Sequence, residues 1–124
     1  KIRIFQNTKP DYVRFVKNFT PEDYAKVMKN SKCIVGNSSS GIREASFLGV
    51  PAVNIGTRQA DRERGPNVKD VDYNKSQILK SITQQVGKKF KKLNIYGSGD
   101  AGKKIAKILL KTNFTISKKL NYLK

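Results

Sequence analysis

Hydrophobic positions fall in short runs divided by polar, glycine or proline punctuation. Runs rich in β-branched or aromatic residues at residues 2–5, 12–16, 33–35, 52–55 and 68–71 predict five strands. The segments between them read as helices. Over residues 21–29, Thr20 stands at the capping position, Pro21 at the first helical position, and Glu22 and Asp23 in the first turn; Tyr24, Val27 and Met28 form the apolar face. A second helix is expected over residues 41–48, stopped by Gly49 with Pro51 beyond. A third spans residues 75–86. After a break at Gly97 and Gly99, a fourth opens at Asp100 and gathers Ile105, Ile108 and Leu109 on one face as a packing stripe. From Thr112 the periodicity fades. The expected division is one domain over residues 1–111 and a basic tail or docking segment over residues 112–124.

Strands alternating with helices through short connections predict an α/β fold, a parallel sheet flanked by helices with Rossmann-like character. Such sheets bind ligands beyond the carboxyl ends of their strands, which directs attention to the loops after Val35 and Ile55.

The first loop reads Gly36-Asn37-Ser38-Ser39-Ser40-Gly41-Ile42-Arg43-Glu44. Glycine and serine admit a ligand close to the backbone, and the first N–H groups of a helix lack internal partners and carry partial positive charge. Ser38, Ser39, Ser40 and Gly41 therefore form a candidate anion cradle, with Glu44 about one turn into the helix, where a carboxylate can accept both hydroxyls of a ribose. Spacing alone equally allows Ser40 as a plain helix cap and Glu44 as half of a local charge pair. The second loop, Asn54-Ile55-Gly56-Thr57-Arg58-Gln59 followed by Arg62, Arg64 and Gly65, releases guanidinium groups whose planar fork suits phosphate. Alone it reads as well as a solvated mixed-charge loop. In a parallel sheet both loops leave the same edge, and together they favour a phosphorylated ligand.

Charge sharpens this without deciding it. Among 124 residues, 26 Lys and Arg against 9 Asp and Glu give a net charge of +17, a field that attracts nucleic acid, anionic membrane or phosphorylated ligands, or that belongs to solvated faces. No aromatic cluster accompanies the basic residues, so nucleic acid is not the expected partner. No apolar stretch reaches the roughly 18 residues of a membrane span, and the first ten residues lack the apolar core of a signal peptide, so a soluble cytoplasmic protein is expected. A single cysteine and no histidine exclude an internal disulfide and a zinc site of His and Cys; Cys33 reads as a small core residue. Without histidine, a serine hydrolase built on Ser38 to Ser40 is also excluded. Asn-x-Ser/Thr matches at Asn18, Asn37 and Asn113 are read as chance. No metal and no cofactor are expected.

The segments Gly36 to Glu44, Phe47-Leu48-Gly49-Val50-Pro51, Asn54 to Gln59, Arg62-Glu63-Arg64-Gly65, Asn94-Ile95-Tyr96-Gly97 and Ala101-Gly102-Lys103-Lys104 together resemble the C-terminal domain of hydrolysing UDP-N-acetylglucosamine 2-epimerases, over residues 12–110. The resemblance implies a two-domain GT-B arrangement in which this chain is the UDP-binding half, its N-terminal domain lies outside the sequence, and the full-length protein is a homodimer. It implies UDP-N-acetylglucosamine or UDP as the ligand, with Ser38 and Ser39 on the diphosphate, Ser40 and Gly41 in the same turn, Glu44 on the ribose, Arg58 on the phosphate side and the backbone at Phe19 and Thr20 reading uracil. The implied reaction eliminates UDP to an unsaturated sugar, then adds water to give free N-acetylmannosamine or re-adds UDP. No catalytic residue is assigned to this chain, because the family's acid and base groups lie in the other half and include a histidine. The fragment alone is expected to be inactive. A GT-B glycosyltransferase, with the same architecture and a similar ribose-binding glutamate, is the alternative.

Overall fold

A computed structural model describes residues 2–8 and 10–114. Three parallel strands, β1 (Ile34–Gly36), β2 (Ala52–Ile55) and β3 (Val68–Val71), form one sheet in the order β1-β2-β3. Ile34 pairs with Ala52 and Gly36 with Asn54, while Ile55 pairs with Val71. The strands thus end level, and the loops that follow them share one rim. This is the predicted α/β arrangement.

The helices are α1 (Ile2–Asn7), α2 (Pro21–Asn30), α3 (Glu44–Leu48), α4 (Lys75–Gln85) and α5 (Ala101–Lys111), with a 3₁₀ turn at Ser39–Gly41. Thr20 caps α2 as expected, its hydroxyl oxygen accepting from Asp23 N–H at 3.2 Å. Gly49 ends α3 in the left-handed conformation, φ 72°, its N–H returning to the α3 carbonyls. Met28, Ala45 and Val50 form the core cluster, with Ile34 and Leu48 packed against it. Polar groups fasten its edge: Asn67, fully buried, donates to the Val50 carbonyl at 2.9 Å and faces the Ser46 hydroxyl at 2.8 Å, while Gln85 of α4 donates to the Asn67 carbonyl at 3.0 Å.

Several expectations are corrected. Residues 2–5 are helical, not a strand, and residues 12–16 join no ladder. A strand needs a neighbour for its N–H and C=O groups, and the sheet offers these segments none, whereas a helix satisfies its own. The helix expected over residues 41–48 is divided into the 3₁₀ turn and the five-residue α3, which makes Glu44 the first residue of α3 rather than one turn in. In α2 only Met28 is buried; Tyr24 and Val27 remain exposed. Asp100 opens α5 without a capping hydrogen bond; its carboxylate instead meets Lys104 Nζ at 3.0 Å and the Ser98 hydroxyl at 2.9 Å, which hold it below the usual carboxylate range. The stripe of Ile105, Ile108 and Leu109 buries nothing among the described residues. Thr112 to Phe114 have no regular structure, and the rest of the expected tail, residues 115–124, lies outside the described residues.

Candidate functional site

The serine turn sits at the carboxyl end of β1, on the rim where the strands end. Ser38 precedes the 3₁₀ turn in extended geometry, and its Oγ accepts from the Ser40 N–H at 3.3 Å. The N–H groups of Gly41, Ile42 and Arg43 are taken by the carbonyls of Ser38 and Ser39. No acceptor among the described residues meets the N–H of Ser38 or Ser39. Two donors without an acceptor among the described residues and three hydroxyls are therefore gathered in this turn, with Ser38 exposed and Ser39 and Ser40 half-buried. With α3 only five residues long, its dipole adds little, so gripping an anion here depends on individual N–H and O–H groups. Gly41 is buried with Ile42 beneath the turn and offers no side chain to a ligand.

Glu44 lines a cleft of about 490 Å³ between α2, α3 and the chain at Leu93 to Gly97, with Pro21, Tyr24, Phe47 and Tyr96 on its apolar walls. Phe19 and Thr20 are next to Pro21 at the mouth of α2, the Phe19 ring 6.2 Å from that of Tyr24. Arg43 places its guanidinium 5.3 Å from the centroid of the Tyr96 ring, a cation–π contact that fixes one wall. The Tyr96 hydroxyl donates to the Glu63 carbonyl at 2.6 Å, tying this wall to the second loop.

The second loop leaves β2 through Gly56, φ 75°, where any Cβ would collide with the Tyr73 ring. Arg58 and Arg62 are exposed, and neither pairs with a carboxylate among the described residues. Arg64 differs: it donates to the carbonyls of Arg62 and Gln59, both at 2.6 Å, and its Nε lies 2.8 Å from Asp70 Oδ2. That Nε satisfies no directed hydrogen bond, so the contact with Asp70 is one of charge rather than geometry. Asp70 in turn accepts from Asn54 Nδ2 at 2.6 Å. Of the predicted guanidinium cluster, Arg64 thus serves the loop itself and Arg58 and Arg62 are the free cations.

The two loops touch directly, because Gln59, 4% exposed, donates from Nε2 to the Asn37 carbonyl at 2.9 Å. Gln59, Asn54, Arg43 and Tyr96 lie in stretches that the sequence singles out without assigning them a role of their own, and only the fold shows the contacts they make.

A family model described as UDP-N-acetylglucosamine 2-epimerase matches residues 2–110. The chain is 40% identical over 101 residues to the UDP-N,N'-diacetylbacillosamine 2-epimerase (hydrolyzing) of Legionella pneumophila, covering 81% of this chain and 26% of that protein. It is 39% identical over 80 residues to the UDP-N-acetylglucosamine 2-epimerase of Neisseria meningitidis, covering 64% of this chain and 21% of that protein. The polysialic acid biosynthesis protein P7 of Escherichia coli is 40% identical over 77 residues, 62% of this chain and 20% of that protein. The chain spans about a quarter or less of the length of these relatives.

Proposed function

The chain belongs to the UDP-N-acetylglucosamine 2-epimerase family, and on that premise we propose that it is the UDP-binding domain, over residues 1–111, of a cytoplasmic hydrolysing 2-epimerase. The observation that carries this reading is the pair of N–H groups at Ser38 and Ser39 that meet no acceptor among the described residues, in the turn that leads from the end of β1 to Glu44 and its cleft. A diphosphate gripped there would place its ribose toward Glu44, whose carboxylate accepts the two hydroxyls. The uracil would continue into the cleft toward Phe19 and Thr20, whose backbone would read its edge. Ser40 and Gly41 complete the turn around the diphosphate.

The reaction breaks the bond between C1 of the sugar and the UDP oxygen, removes the proton at C2 and leaves an unsaturated 2-acetamido sugar; water then adds to release the free epimerised sugar, N-acetylmannosamine from UDP-N-acetylglucosamine. Negative charge grows on UDP as that bond breaks. This chain's share is to stabilise that charge with oriented N–H donors and the Arg58 guanidinium, which need no rearrangement as the bond breaks. The acid and base that handle the C2 proton belong to the part of the enzyme outside this sequence, which also closes the far side of the cleft. UDP-linked diacetylbacillosamine, named in the Legionella relative, is the substrate to compare with UDP-N-acetylglucosamine.

Titration with UDP tests the reading. Binding by this domain alone is expected near the millimolar range, about −4 kcal/mol, because half the cleft is absent. Glu44→Ala and Arg58→Ala should each weaken it by about tenfold or more, the value of one charge-assisted hydrogen bond. Unchanged affinity in both variants would remove the site assignment.

A further inference from the structure

We infer that Gln59 is a positioning residue that fixes the orientation of the Asn37–Ser38 peptide group, so that the Ser38 N–H faces the phosphate; this rests on the proposed UDP site. The Asn37 carbonyl and the Ser38 N–H belong to one planar trans peptide unit and point in opposite directions. Gln59 is buried and holds the Asn37 oxygen at 2.9 Å, so the N–H on the other side of the same plane is turned away from Gln59, and it is one of the two donors of the turn without an acceptor among the described residues. Gln59 itself is anchored: its own carbonyl accepts from Arg64 Nη2 at 2.6 Å, and Arg64 is braced by Asp70 on β3. The line Asp70, Arg64, Gln59, Asn37 therefore runs from the sheet to the serine turn and ties the loop carrying Arg58 to it.

The arrangement is not an optimum for the fold. Gln59 Oε1 is buried with no hydrogen-bond partner, a cost that an apolar side chain of the same length would not bear. The exposed Asn37 can find water for its carbonyl once Gln59 lets go. A residue kept for packing would be replaceable here by methionine, whereas a residue kept to orient a peptide would not.

The test compares the intact protein with Gln59→Met, which keeps the volume and removes the donor, and Gln59→Glu, which places a carboxylate against the carbonyl. Three quantities are read: UDP affinity, thermal unfolding, and the change in the Ser38 amide proton shift on adding UDP. UDP affinity is expected to fall about tenfold in the methionine variant and further in the glutamate variant, the scale of one oriented hydrogen bond to a charged group. Thermal unfolding of Gln59→Met should move by no more than about 5 °C. The Ser38 shift change seen in the unsubstituted protein should be lost. Retained affinity and an intact Ser38 response in Gln59→Met overturn the inference and leave the UDP site standing. No UDP binding by the unsubstituted protein overturns both. If Gln59→Met does not fold, the Gln59 hydrogen bond holds the fold as a whole rather than one peptide group, and the inference is likewise overturned.

Discussion

Ile42, in the turn between the 3₁₀ turn and α3, and Ile108, on α5, are both apolar, yet Ile42 is fully buried and Ile108 is 62% exposed. Ile42 follows a strand whose neighbour, β2, lies alongside, so the turn after β1 folds onto an existing surface. Ile108 lies on α5, which no strand or helix among the described residues covers. An apolar stripe is a request for a partner, and the fold meets it only where the chain returns to the same place. The serine turn is tied to the second loop through Gln59; α5 has helical form and buries none of its residues among the described residues.

The widest gap between these regions should appear in stability. Ile42→Ala is expected to cost about 3 kcal/mol as a buried truncation, against less than about 0.5 kcal/mol for Ile108→Ala on an exposed face. Urea unfolding of the two variants measures it, and similar losses at both sites would show that α5 packs in solution.

A smaller effect separates polar from apolar fastening within the packed region. Asn67→Ala takes the donor from the buried Val50 carbonyl and leaves the Ser46 hydroxyl only the Ile42 carbonyl, and should cost about 2 kcal/mol. Ser46→Ala, which removes the hydroxyl together with its needs, should cost less. The reverse order would mean that the Asn67 network is not what holds α3 to the start of β3.

The smallest is chemical. Burial raises the Cys33 thiol above its ordinary value, outweighing the opposing backbone hydrogen bond from Val53, so less thiolate is present at any given pH than for a free thiol. Iodoacetamide labelling at pH 8 should run slower than for glutathione and speed up on unfolding. Labelling at the rate of the free thiol would contradict that burial.

Much of the rim was legible in the chain. The runs 52–55 and 68–71 became β2 and β3 at their predicted bounds, and Gly36 and Gly56 marked where two strands release their loops. The apolar runs at residues 2–5 and 12–16 were not legible as helix and coil, because a run of four or five residues fits either period and only the presence of a pairing strand decides. Gln59, Asn67 and Gln85 were hidden for another reason. Amides in or near loops read as solvated, and their burial arises from contacts 17 to 33 positions away, such as Asn67 to Val50, Gln59 to Asn37 and Gln85 to Ala52.

The central claim is that the free N–H groups of Ser38 and Ser39 grip the diphosphate of a uridine nucleotide. A crystal structure of the protein with UDP tests it most directly. The account predicts diphosphate oxygens about 3 Å from both nitrogens, with the ribose hydroxyls on Glu44. UDP bound with its phosphates away from this turn, and the two N–H groups still facing water, would contradict it.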